Sequence, residues 1–200
     1  MRKLMEDITG RIFILLEPTI CDEPLRKEFQ RLRYSEFVAK KNRGWEPENE
    51  EKIERDLIDQ RADYIVCISG GKDDCERRKI IAGCRLITND TTELPISKAI
   101  KKIQPHSLEI SRMISISKDP SIKCMLYALI YRYAVDREYK YVYALARRGI
   151  ARIIRKEKMD IFIEIGDELP PNGNLRLIPM MTHISSIPSL VKNENFLLAI

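Results

Sequence analysis

The sequence predicts an α+β fold in which a mixed central sheet is flanked by helices. Two observations point there. Apolar residues switch between period-two and helical spacing in the order β-α-β-β-β-α-β-α-β-β, so strands follow one another directly as well as across helices. Neither a glycine-rich dinucleotide fingerprint nor a phosphate-binding P-loop occurs. The 200 residues, 44% hydrophobic and 32% charged, suit one soluble domain over residues 1–200 with a sizeable core.

The first strand is predicted over 11–17. Asp22 and Pro24 mark a helix start, and Leu25, Phe29 and Leu32 carry helical spacing to about Lys41. Arg33 and Phe37 share a face of that helix. Periodicity alone makes Phe37 core and Arg33 a surface charge. Residues 42–55 are polar and read as a long loop or lid. They hold the only tryptophan, Trp45, which packs on the protein body or on a ligand. Asp56 and Asp59 follow, spaced as helix-start carboxylates. Strands over 62–68 and 78–88 flank a turn at 70–74. Gly83, inside the second, implies a bulge or a close backbone approach. Residues 89–105 hold turn residues and a short helix at 95–103.

The strand over 106–117 carries the anomaly of the chain. Leu108, Ile110, Ile114 and Ile116 alternate onto one face, and Glu109, Ser111, Met113, Ser115 and Ser117 onto the other. Arg112 falls on the apolar face. A buried guanidinium needs a carboxylate or a ligand. Glu109, three residues away, lies on the opposite face of a regular strand. A β-bulge within 110–115 would turn both heads toward one place, and bulges collect beside active sites.

Asp119 and Pro120 start the next helix, with Ile122, Leu126, Leu129, Ile130 and Tyr133 inward. A strand over 139–146 precedes a basic amphipathic helix at 147–158. Its inward residues are Ile150, Ile153 and Ile154; Arg148, Arg152 and Arg155 face outward, as a solvated face or a docking surface. Strands over 161–165 and 175–181 close the chain around a turn at 170–174.

No apolar run is long enough to span a bilayer, and no leader-like segment opens the sequence. The five cysteines lack C-x-x-C spacing, and there are only two histidines, so a metal site is not expected. Cys67, Cys84 and Cys124 read as small core residues. A cytoplasmic location is expected. The net charge of +5 suits an acidic partner, but no RNP-like motif supports nucleic-acid binding.

Ordered residues then add a resemblance. Arg33, Phe37, Trp45, the pair Asp56 and Asp59, Arg85, and Glu109-x-x-Arg112 within Glu-Ile-Ser-Arg resemble the pattern of the acyl-homoserine-lactone synthases, eight positions in order across 33–112. The start of the segment Arg147-Arg148-Gly149-Ile150 is also similar. The resemblance spans roughly residues 25–158, and the ordered set carries it rather than any single motif. It implies a GNAT-like fold, the acyl-CoA N-acyltransferase fold. Three positions depart from the family: the Phe37–Trp45 spacing is longer, Ile58 stands where an aromatic is usual, and Met113 replaces a phenylalanine. The first two touch the lid that encloses S-adenosylmethionine in the family. The resemblance therefore leans to a sister group, the N-acyl amino acid synthases. These move a long-chain fatty acyl group from acyl carrier protein to an amino acid. The alternative is an acyl-homoserine-lactone synthase with S-adenosylmethionine as acceptor.

On this reading Glu109 is the candidate general base, or else a structural partner of Arg112 or Arg85. Arg112, Arg85 and Arg33 would hold carboxylates, and Asp56 and Asp59 would fix those arginines or an acceptor ammonium. Phe37 and Trp45 would enclose the acceptor. Ile114, Ala144, Met180 and Met181 would line the acyl slot. The donor argument concerns residues 117–123. GNAT enzymes that use coenzyme A carry a glycine-rich diphosphate loop there. This chain has no glycine in that loop, and Pro120 lacks an N–H. One phosphate, that of a carrier-borne phosphopantetheine, suits Lys118, Ser121 and the helix start. No bound cofactor is expected. Arg148, Arg152, Arg155 and Lys156 would dock an acidic carrier protein.

Overall fold

The computed structural model describes residues 1–40, 49–69, 79–90, 93–148, 151–152, 162–169 and 176–187. Eight strands form one sheet in the order β1-β2-β3-β4-β5-β6-β8-β7. They are β1 (Arg2–Glu6), β2 (Ile12–Leu16), β3 (Asp63–Ser69), β4 (Lys79–Thr88), β5 (Ser107–Ser115), β6 (Tyr141–Arg147), β7 (Ile163–Glu164) and β8 (Leu177–His183). All neighbours pair antiparallel except β5 and β6, which run parallel across the helix α2 (Pro120–Asp136). The sheet is mixed, as expected.

Among the described residues, α2 covers one face and a second helix the other. Helix α1 (Glu23–Tyr34) lies on the face formed by Ile14, Leu16, Tyr64, Val66 and Ile87. Gly83 lets it approach: a Cβ there would stand 2.8 Å from the Phe29 ring and 2.8 Å from the Ile65 carbonyl. Helix α2 covers the other face, where Phe13, Leu15, Ile65, Cys67, Cys84, Leu86, Leu108 and Ile110 meet Ile122, Met125, Leu126, Leu129, Ile130 and Tyr133. Asp119 caps α2 by accepting the Ser121 N–H at 2.9 Å, with Pro120 in the first turn.

Several expectations are corrected. β1 was not foreseen. The helix predicted to Lys41 ends at Tyr34, and one π-helical turn, Ser35–Ala39, continues it. Asp22 precedes α1 without capping it; its carboxylate accepts the Glu17 N–H instead. The helix expected at 95–103 is a 3-10 turn, Pro95–Lys98. Cys124 is exposed rather than core. Of the helix predicted at 147–158, Arg147 belongs to β6, while Arg148, Ala151 and Arg152 are helical. Arg155, Lys156 and the three isoleucines lie outside the described residues, as do Trp45 and the turns at 70–74 and 170–174.

Candidate functional site

β5 contains the expected bulge. Gly83 pairs with Ile114 and Arg85 with Ser111, so three steps along β5 oppose two along β4. Arg112 takes up the extra residue with φ 54°, a left-handed backbone that non-glycine residues adopt at a cost. The bulge reverses the alternation beyond it. Before it, Leu108 and Ile110 face α2 and Glu109 and Ser111 face α1. After it, Met113 packs on the α2 cluster, and Ile114 pairs with Gly83 on the α1 side. Arg112 thereby leaves the apolar face to which simple alternation assigned it. The expectation that Ile114 and Ile116 continue that face is corrected: Met113 continues it, and Ile116, past the strand end, is exposed.

On the α1 side, three guanidiniums and three carboxylates interlock. Arg33, completely buried, donates to Asp59 with Nη1 at 2.7 Å and Nη2 at 3.1 Å. Its Nε donates to Glu54 Oε2. Arg85 donates to Asp56 at 2.7 Å, to Asp59 at 3.0 Å and to Ser111 Oγ at 2.9 Å. Arg112 donates through Nε to Glu54 Oε1 at 2.8 Å, and its Nη2 lies 3.7 Å from Asp56 Oδ2. Tyr64, opposite Arg85 in the sheet, donates its hydroxyl proton to Asp59 at 2.7 Å and accepts from Gln30 at 3.1 Å. Asp56 and Asp59 also form a reciprocal cap on the 3-10 turn Leu57–Gln60, so the helix-start reading and the arginine-holding reading both apply.

Charge decides the protonation states. Burial alone would raise the Asp59 pKa, but the Arg33 and Arg85 guanidiniums outweigh it and hold this carboxyl well below the usual range. Burial pushes the Tyr64 hydroxyl up to about 12. Glu109 is different. It is 1% exposed, makes no ion pair among the described residues, and accepts the Ile96 N–H at 2.8 Å. Burial pushes its pKa up to about 7, against the pull of that N–H and of Arg85 and Arg112. A carboxyl poised near neutrality beside a guanidinium cluster has the proton affinity of a general base.

The sheet opens beside this point. β5 and β6 pair only from Ser107↔Tyr141 to Ile110↔Ala144, although β5 runs on to Ser115 and β6 to Arg147. Ile114 and Ala144 flank the parting on opposite faces, Ile114 on the α1 side and Ala144 in line with Ile110 on the α2 side. Met180 pairs with Ala144 and packs near Ala151, while Met181 packs on the α1 side. Phe37 is buried in the π-helical turn.

The other predicted site residues lie elsewhere. Lys118 is exposed before α2. Ser121 sits in the first turn of α2 and its Oγ accepts from Arg11 Nη2 at 3.3 Å. Arg148 and Arg152 are exposed beyond β6. Sequence reading singled out neither Glu54 nor Tyr64. Glu54 is masked by a run of glutamates in which none stands out; its place two residues before Asp56 is the one available signal. Tyr64 reads as a core aromatic, and only the register that sets it opposite Arg85 marks it as polar.

No protein-family model matches the chain, and no curated protein matches it in sequence. Solved structures do match. The AHL synthase LasI superposes with a TM-score of 0.71 at 15% identity, covering 92% of this chain and 94% of that one. BjaI, a CoA-dependent acyl-homoserine lactone synthase solved with SAM and isopentyl-CoA, gives 0.70 at 16% identity over 88% and 84%. A protein of Lactobacillus plantarum named as a candidate N-acetyltransferase gives 0.58 at 12% identity over 87% and 98%. This chain has the GNAT-like fold. The α+β expectation and the likeness to the acyl-homoserine-lactone synthases both hold at the level of architecture.

Proposed function

We propose that the protein is an N-acyltransferase that moves a long-chain fatty acyl group from acyl carrier protein to the α-amino group of an amino acid. The observation that carries this reading is the bulge. It sets a buried carboxyl with a near-neutral pKa and the guanidinium of Arg112 on one face, where β5 and β6 part. Within the ion network, Arg33 and Arg85 are buried, and the outward members are Arg112 and Asp56, whose side chains are 13% and 27% exposed. One cation beside one anion complements a zwitterion: Arg112 takes the acceptor carboxylate, and Asp56 the ammonium.

Glu109 then removes a proton from the ammonium, directly or through a water. The free amine attacks the thioester carbonyl. Backbone N–H groups freed by the bulge at Met113–Ser115 face the oxyanion. As the tetrahedral intermediate collapses, the C–N bond is kept, the C–S bond breaks, and the proton held by Glu109 passes to the departing thiolate; Glu109, ionised again, takes the second proton from the new amide nitrogen and releases it to solvent. The donor thiol is that of phosphopantetheine. At the start of α2, Pro120 has no N–H, the Ser121 N–H is taken by Asp119, and Asp119 is ion-paired with Arg11. This is a poor cradle for a diphosphate and suits one phosphate held by Lys118 and Ser121. The acyl chain runs between Ile114 and Ala144 where the strands part. Phe37 and Trp45 close on the acceptor, with Arg33, Asp59 and Arg85 as the frame behind it. Arg148, Arg152 and Arg155 dock the carrier.

The second reading keeps the donor chemistry and takes S-adenosylmethionine as acceptor, a molecule with the same zwitterionic end. The likeness to BjaI, solved with SAM, favours it. Against it, Ile58 packs into the α1-side cluster where the family places an aromatic. The test is to incubate the protein with acyl-acyl carrier protein or acyl-CoA, together with amino acids or S-adenosylmethionine, and to identify products by mass spectrometry. An acylated amino acid without methylthioadenosine supports the first reading. Released methylthioadenosine selects the second. No acyl transfer from either donor refutes both.

A further inference from the structure

The sequence did not single out Glu54, yet its carboxylate bridges two arginines of the cluster. It is completely buried, and each oxygen serves a different arginine: Oε2 meets Arg33 of α1, and Oε1 meets Arg112 Nε at 2.8 Å. Its backbone N–H donates to the Gln30 carbonyl at 3.2 Å, which ties its own segment to α1. Glu54 Oε2 meets both Nε and Nη2 of Arg33, but Asp59 holds the same guanidinium through Nη1 and Nη2, so Arg33 keeps an anchor without Glu54. The contact with Arg112 is of another kind. Arg112 sits on a left-handed backbone at the bulge, and among the described residues its second carboxylate neighbour, Asp56, is 3.7 Å away. A long side chain leaving a bulge needs a fixed partner to hold one direction.

We infer that Glu54 is a positioning residue that aims the Arg112 guanidinium, through Nε, so that its terminal nitrogens face the acceptor carboxylate. This rests on the acyl-transfer reading above for the acceptor, and on geometry alone for the aiming. A buried carboxylate that spends both oxygens on arginines cannot itself touch substrate, and Arg33 is completely buried too, so the effect passes through the partly exposed Arg112. The same charge also acts on Glu109. The groups that face Glu109 are Arg85 from β4, Arg112 from β5, the Ile96 N–H and, beside it in the sheet, Tyr143. Glu54 tempers the positive field of the two arginines.

The experiment uses Glu54→Gln, Arg112→Gln and the double variant of the whole protein. In Glu54→Gln the Michaelis constant for the acceptor rises about tenfold, while that for the acyl donor stays within about twofold. The acid limb of the pH–rate profile moves to lower pH, because an unbalanced Arg112 favours the ionised Glu109. In the Arg112→Gln background the Glu54 substitution adds nothing to the acceptor constant. Multiplying effects in the double variant overturn the inference, as does a donor constant that rises equally. A nitrogen-15 spectrum reads the aiming without turnover: the Arg112 Nε–H resonance is lost or shifted in Glu54→Gln, and the Arg85 resonance is kept. An unchanged Arg112 resonance overturns the aiming. If that resonance shifts but no thioester supports transfer even in the unsubstituted protein, the acyl-transfer reading fails and Glu54 is a structural ion partner only. Should Glu54→Gln not fold, the double variant, which removes one anion and one cation together, supplies the comparison with Arg112→Gln.

Discussion

At the scale of single residues, Glu109 and Asp59 show how one buried cluster produces opposite proton affinities. Asp59 accepts from two guanidiniums and stays ionised. Glu109 is as deeply buried but receives a backbone N–H, and its carboxyl titrates at about 7. The linkage has a definite sign. The folded pKa of Glu109 lies above its ordinary value, so its contribution to stability is complete below the ordinary carboxylate range and is lost as pH rises through about 7. Glu109→Gln removes that penalty. The variant melts close to the unsubstituted protein at pH 5 and above it at pH 8, by an amount on the order of 1–3 kcal/mol. Its acyl-transfer turnover falls by at least about 100-fold. Thermal melts at the two pH values and a single-turnover assay check both halves. Unchanged turnover removes Glu109 from the chemistry, and equal melting differences at both pH values remove the buried, neutral carboxyl.

Elements explain why parts of the site were legible in the sequence and others were not. The bulge was legible because Arg112 breaks an otherwise clean alternation, and a charge on an apolar face is too costly to leave there. The caps at Asp119 and Asp56, and the inward stripe of α2, were legible because short-range chemistry sets them. β1 was not, because Arg2–Glu6 offers little more than Leu4 and Met5 to the core, and the strand exists through its pairing with β2. Glu54 was not, because its partners lie 21 and 58 residues away in the chain. Two substitutions test the elements. Gly83→Ala places a methyl against the Phe29 ring and the Ile65 carbonyl. It destabilises by about 1–3 kcal/mol in chemical denaturation, and Phe29→Leu recovers part of the loss. Arg112→Gly keeps the left-handed backbone that the bulge needs, so the sheet folds, while acceptor binding is lost. A melting temperature that collapses in Arg112→Gly would show that the guanidinium, rather than the backbone, holds the bulge.

Over the whole molecule, the site and the basic face beyond β6 belong to one design only if both serve the same donor. The described strands pair in succession from β1 to β7, and β5 and β6, which part beyond Ile110 and Ala144, are the one parallel pair among them. On the proposed function, an acyl chain would reach Glu109 there, and a carrier protein delivering it would rest nearby on a surface of opposite charge. Arg148 and Arg152, both helical, stand exposed after β6. Arg148 is only loosely paired, 3.9 Å from Glu168, which Arg176 also approaches. Exposed charges of this kind contribute little to folding, so reversing them is tolerated. They contribute to association, which is screened by salt over about 8 Å at physiological ionic strength. Replacing both with glutamate therefore leaves the melting temperature and the turnover at saturating donor nearly unchanged. The Michaelis constant for the acyl-carrier protein rises about tenfold at low salt, and the difference shrinks as salt is added. The constant for an acyl-pantetheine lacking the carrier does not move. A rise of equal size with both donors places the two arginines against the prosthetic arm instead, and no rise with either places the docking face elsewhere on the molecule.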